Sequence, residues 1–278
     1  MTAIPPLVAE SILHIGQFPV TNAYINSSIA VVVFLIVGFI LRKKTDLIPK
    51  GFQNFAESIL EFMLGYIDQV THNRQKSLQV LPVIGGMFLF ILFSNYLGLL
   101  PGTGSIGRYL MVEGKTELVP LLRSANSDLN LTLAMAVFAV LVSHIMGVAV
   151  IGFFRYANKF IKLGDLFKSF GKGPVSIMTA IIEFGVGFLE IISEVAKLVS
   201  LSFRLFGNIF AGEVLLTIMA GLFAYFLPLP FIFLELIVGL IQALVFSMLT
   251  LVYLTMATAP VHETSHPART TDVVQSGG

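Results

Sequence analysis

Between Val175 and Leu227 the chain stays apolar almost throughout, yet the run holds one arginine, Arg204. About 50 residues at 1.5 Å each make ~75–80 Å of helix, against a ~30 Å hydrocarbon core. An upright span cannot use that length, and a sequence this apolar does not suit a soluble extension. Steep tilt, approaching the membrane plane, is the expected solution. Arg204 sharpens the constraint, because a guanidinium does not shed its charge. Near mid-membrane it costs ~2.5–3.5 kcal/mol on insertion scales, so it is expected to face a partner or water and to mark an ion path.

The residues around it are ordered. Glu183, Glu190, Lys197 and Arg204 are spaced by seven, and each heptad step drifts by only about 20° around a helix. Four ionisable groups therefore share one narrow stripe. Glu194 lies within a turn of Glu190 and Lys197, which predicts local pairing there. Asn208 falls on nearly the same face as Arg204, whereas Glu213 is about half a turn out of phase. Gly207, Ala211 and Gly212 keep the nearby surface thin enough for close approach. A self-paired seam holding a helical bundle together is the structural alternative to a polar track for ions.

The rest of the chain reads as a membrane protein. Of 278 residues, 56% are hydrophobic and 12% charged, which excludes an ordinary soluble enzyme, and a net charge of +1 gives no field for nucleic acid. With no cysteine, disulfides and thiolate metal sites are excluded. The N-terminus lacks a secretory cleavage pattern and is read as mature sequence. A single membrane domain, 1–278, is expected. It comprises an external N-terminus 1–23, a span 24–41, an amphipathic interfacial helix 49–69 and spans 80–100 and 128–154. The long tilted helix 175–227, a return helix 231–257 after the Leu227–Pro230 break, and a tail 259–278 complete it. Residues 101–127 read as a polar loop. The fold class is thus all-α, with five membrane-crossing helices. Residues 42–79 carry six Lys or Arg and 155–174 carry five, against three in 101–127. The positive-inside rule then puts the N-terminus outside and the C-terminus in the cytoplasm.

The return helix has polar groups of its own, Glu235 and Gln242, seven apart on one face. Opposed positions in an antiparallel hairpin keep a constant index sum. Arg204 with Gln242 gives 446 and Glu213 with Glu235 gives 448, so both pairs can face each other in one staggered register.

Four stretches resemble a known family, subunit a of the proton-translocating rotary ATP synthases in its bacterial form. They are SLSFRLFGNIFAGE (200–213), QALVFSMLTLVYLTMA (242–257), SNYLGLLPG (94–102) and SDLNLTLAMA (127–136). The resemblance implies a stator that wraps a rotor ring of c subunits, beside peripheral stalk b subunits, in the bacterial plasma membrane. It implies a fixed charge, Arg204, meeting each rotor carboxylate in ionised form and blocking a direct leak between two offset half-channels. The outer half-channel would use Asn208, Glu213, Glu235 and Gln242, with Asp128 and Asn130 near its entrance. The cytoplasmic one would use Glu190, with Ser193 and Glu194 as weaker candidates. Lys197 reads as an ion-pair partner of Glu190 or Glu194. Some bacterial relatives carry histidine where this chain has Glu235; either can relay a proton. No cofactor, no metal and no catalysis by the chain itself are implied.

Two other classes are weighed. His262-Glu263-Thr264-Ser265-His266 matches the zinc-protease pattern, but that pattern needs a helix and a further ligand, whereas Pro260 and Pro267 bracket it in a short polar tail with no later His and no Cys, so a chance match is the expected reading. A proton-coupled secondary transporter also uses membrane Arg, Glu and Asn, but many such folds carry inverted repeats, and none is found here. His144, in the third span, reads as a helix–helix hydrogen-bonding group.

Overall fold

The computed structural model describes residue 6 and residues 8–43, 48–100, 102–103, 106–112, 115–160, 174–222 and 226–259. The zinc-protease-like motif and nearly all of the tail lie outside them. Two strands, β1 (Ser11–Ile15) and β2 (Phe18–Thr21), precede helix α1 (Asn22–Lys43). There follow α2 (Phe52–Thr71) and α3 (Arg74–Gly98), then strands β3 (Gly107–Val112) and β4 (Lys115–Pro120). A 3-10 turn at Ala125–Ser127 leads into α4 (Leu129–Ile151), and the short α5 (Phe153–Phe160) follows. The chain closes with α6 (Pro174–Leu222) and α7 (Pro228–Thr258).

Among the described residues, five helices are long and apolar enough to cross a membrane: Asn22–Arg42, Arg74–Gly98, Leu129–Ile151, Phe184–Leu222 and Pro228–Thr258. The chain is a multi-pass, mainly α-helical membrane protein. Helix α7 packs between α3 and α4 and against α6. Their core is Ile84, Phe88 and Ile91 from α3, Ala136 and Ala139 from α4, Leu201, Leu205 and Ile209 from α6, and Ala243, Phe246 and Leu251 from α7. Met63 and Ile67 of α2 join it, while Phe52, Phe55 and Phe62 stay exposed on the other side of that helix.

Several boundaries differ from the expectations for physical reasons. The third span stops at Ile151 because Gly152 turns the backbone at φ 93°, and α5 starts as a separate helix. The two prolines of Leu227–Pro230 do not exclude the return helix; Pro228 starts it, where a missing N–H costs nothing. The loop 101–127 and the N-terminal segment each hold an antiparallel hairpin. In the first hairpin Ile15 pairs with Phe18 across Gly16, whose φ of 66° suits a tight two-residue turn.

Candidate functional site

Helix α6 has 49 residues, about 74 Å at 1.5 Å per residue. Arg204 sits near its middle and points outward. It is exposed, touches Ser200 at 3.4 Å, and makes no ion pair among the described residues. Val195, Val199 and Phe203 are exposed beside it, so the charge lies in an open apolar face.

Toward the C-terminus of α6 the polar side chains turn inward. Asn208 Nδ2 donates to Gln242 Oε1 at 2.6 Å, joining α6 to α7. One turn on, the Glu235 carboxylate rests against Gly212, where a Cβ would overlap it. Gln242 and Glu235 are both buried, and Gln242 Nε2 has no hydrogen-bond partner among the described residues. Asn208 thus meets Gln242 and Gly212 meets Glu235, index sums of 450 and 447 against the expected 446 and 448, so the helices lie at nearly the expected level while the rotation of α6 brings Asn208 rather than Arg204 onto Gln242. Arg204 and Glu213 point elsewhere on α6.

Glu213 turns to Arg123, which the sequence reading passed over. Arg123 Nε donates to Glu213 Oε1 at 2.8 Å and to Oε2 at 3.0 Å, and its Nη2 donates to the Pro6 carbonyl at 2.9 Å. Its side chain is 3% exposed and that of Glu213 25%. A buried guanidinium needs such a partner, because an unpaired buried charge is costly. The segment carrying it is anchored by amides. Asn26 donates to the Arg123 carbonyl at 2.7 Å, and Asn126 donates to Asn95 Oδ1 at 2.7 Å. Asn95 in turn donates to the Gly239 carbonyl of α7 at 3.4 Å. The available signal was chemical, since a membrane carboxylate such as Glu213 calls for a cation, and Arg123 lies in the polar loop just before the third span.

Asp128 and Asn130 stand at the start of α4. Asp128 is its N-cap, accepting from the Asn130 backbone N–H at 3.0 Å and from Asn130 Nδ2 at 3.2 Å.

Toward the N-terminus of α6 there is a second polar group. Lys197 Nζ donates to Glu194 Oε1 at 2.7 Å and lies 5.4 Å from the Tyr253 ring centroid of α7. The other Glu194 oxygen is 3.7 Å from His144 Nε2, and His144 Nδ1 is 2.6 Å from the Tyr156 hydroxyl. Glu190 is half-buried and Ser193 exposed nearby on the same helix. The polar groups that meet α6 thus fall into two clusters along it, one on each side of Arg204.

A multi-pass helical protein with ionisable groups strung along one overlong helix defines a class, the membrane-embedded proton conductors. The comparisons are more specific. The family described as ATP synthase A chain matches residues 24–255. Proteins named "ATP synthase subunit a" are similar over most of the chain. The one from Syntrophobacter fumaroxidans is 32% identical, covering 91% of this chain and 91% of its own length. That from Moorella thermoacetica is 28% identical over 91% and 97%, and that from Campylobacter concisus 32% over 82% and 85%. The chain belongs to the ATP synthase A chain family, the proton-channel stator subunit of the membrane sector.

Proposed function

We propose that this chain couples proton flow to rotation through two offset half-channels that meet a rotor carboxylate at Arg204. The observation that carries this is the split of polar groups along α6. Asn208, Gln242, Glu235 and Glu213 with Arg123 lie to one side of the exposed arginine, and Glu194, Lys197 and Glu190 to the other. Asn208 is four residues beyond Arg204 and Lys197 seven before it, about 6 Å and 10 Å along the axis. In this reading a proton passes from one cluster to the other only by way of the rotor carboxylate that meets the fixed positive charge.

The rotor carboxylate is neutral in lipid and ionises beside Arg204, because an opposite charge within ~4–6 Å favours ionisation. The outer half-channel comprises Asn208, Gln242, Glu235 and Glu213, with Asp128 and Asn130 at its mouth. The cytoplasmic one comprises Glu190, Ser193 and Glu194, with Lys197 holding Glu194. Each charge crossing 100 mV supplies ~2.3 kcal/mol to rotation. The chain forms no covalent intermediate and binds no nucleotide. Its partners are the c-subunit ring on the exposed face of tilted α6, and the b subunits of the peripheral stalk. It sits in the bacterial plasma membrane, N-terminus outside and C-terminus in the cytoplasm.

Cysteine cross-linking tests the contact. The chain has no cysteine of its own. Phe203→Cys, at an exposed position (54%), should form a disulfide with a cysteine set beside the rotor carboxylate; Leu205→Cys, fully buried, should not. The reverse pattern, or no bond at either position, would reject this face as the rotor track.

A further inference from the structure

A cavity of about 390 Å³ opens between α4, α5 and α6, lined by His144 and Val148, by Tyr156 and Phe160, and by Ile191 and Glu194. Three of its lining groups can exchange protons and they lie in a row. Tyr156 holds Nδ1 of His144 at 2.6 Å, and the opposite ring nitrogen faces Glu194 at 3.7 Å. The remaining Glu194 oxygen is fixed by Lys197, which in turn lies over Tyr253. Gly147 lets this assembly close, since a Cβ there would come within 2.5 Å of the Tyr156 ring.

We infer that His144 is a proton-exchange group of the stator, trading a proton with Glu194 through Nε2, with Tyr156 as the residue that positions its ring. The inference rests on the reading of Glu194 as part of the cytoplasmic half-channel and adds a station to it. The chemistry follows from the geometry. With the neutral ring's proton on Nδ1, donated to the Tyr156 oxygen, Nε2 faces Glu194 free to accept. A proton carried by the Glu194 carboxyl then moves to Nε2, leaving a carboxylate beside an imidazolium, and returns by the reverse step. Burial and the carboxylates of Glu194 and Glu190 push the Tyr156 phenol up to about 12, so it keeps its own proton and holds Nδ1 in both states. The charged and titratable groups around His144 are Tyr156 on α5 and Glu190, Glu194 and Lys197 on α6. Glu194 is ten residues, about 15 Å, from Arg204 along the helix.

The test uses the assembled ATP synthase in inverted membrane vesicles and reads proton flux through its membrane sector. His144→Ala should lower the flux by about threefold or more, because a positioned proton-transfer group is removed. Added imidazole should restore most of it, whereas pyrazole, of similar size and far weaker basicity, should not. Wild-type flux in the variant, rescue by both molecules equally, or rescue by neither would overturn the assignment. If His144→Ala does not assemble, His144→Gln carries the test: flux at a third or less with normal assembly supports it, and wild-type flux refutes it. Arg204→Ala run alongside separates the two levels. Loss of pumping there with normal flux in the His144 variants removes only this inference; retained pumping there removes the half-channel reading itself.

Discussion

Replacing Glu213 with Gln leaves the Arg123 guanidinium buried, 3% exposed, without its counter-charge. Removing one partner of a buried pair costs about 3–5 kcal/mol, because the remaining charge is stranded away from water. At about 2–4 °C of Tm per kcal/mol for a chain of this size, the midpoint should fall by roughly 6–20 °C. The opposite replacement, Arg123→Leu, is expected to cost less. It strands a carboxylate that is a quarter exposed and can neutralise itself by taking a proton. In the double variant, Arg123→Leu with Glu213→Leu, neither charge of the pair remains, and apolar replacements of such pairs are often near neutral. The three variants should therefore rank Glu213→Gln worst, Arg123→Leu next and the double variant mildest, read as thermal melting of the purified complex in detergent. Additive losses, with the double variant the least stable, would refute the claim that the pair is an isolated buried ion pair.

Two further outcomes follow from particular contacts. Gly212→Ala places a methyl group where the Glu235 carboxylate lies, so Glu235 must move. Overpacking of this kind costs about 1–3 kcal/mol, and ATP-driven proton pumping should fall severalfold. Asp68 at the end of α2 accepts from Arg74, and the nearby Ser77 hydroxyl and then the Arg74 guanidinium hold its carboxyl below the usual carboxylate range. A depressed carboxylate contributes stability above its unfolded value, which is lost as pH falls through the folded one. The melting advantage of the wild type over Asp68→Asn should accordingly be present at pH 7 and fade below about pH 4.

The spans were legible because burial in lipid demands long apolar runs, and nothing else in this chain competes with that signal. The overlong helix and the outward charge at Arg204 were legible for the same reason, as length and charge stand out against a greasy background. The pairing across α6 and α7 was only half legible. Index sums fix which residues are level but not how each helix is rotated, so Gln242 meets Asn208 rather than Arg204, and Glu235 meets Gly212 rather than Glu213. The heptad stripe likewise does not act as one seam, since Lys197 turns to Glu194 while Arg204 stays with Ser200. Arg123 was missed because it has no periodic context, its position being set by amide contacts from Asn26, Asn95 and Asn126. The two hairpins were missed because strands of four to six residues leave a pattern too short to separate from loop.

Arg204 carries the central claim, and ATP-driven acidification of inverted vesicles bearing Arg204→Ala addresses it most directly. The account predicts that acidification disappears although the chain inserts normally and the detached head still hydrolyses ATP. Acidification at the wild-type rate would show that the charge is structural, and would contradict the coupling of proton flow to rotation at this residue.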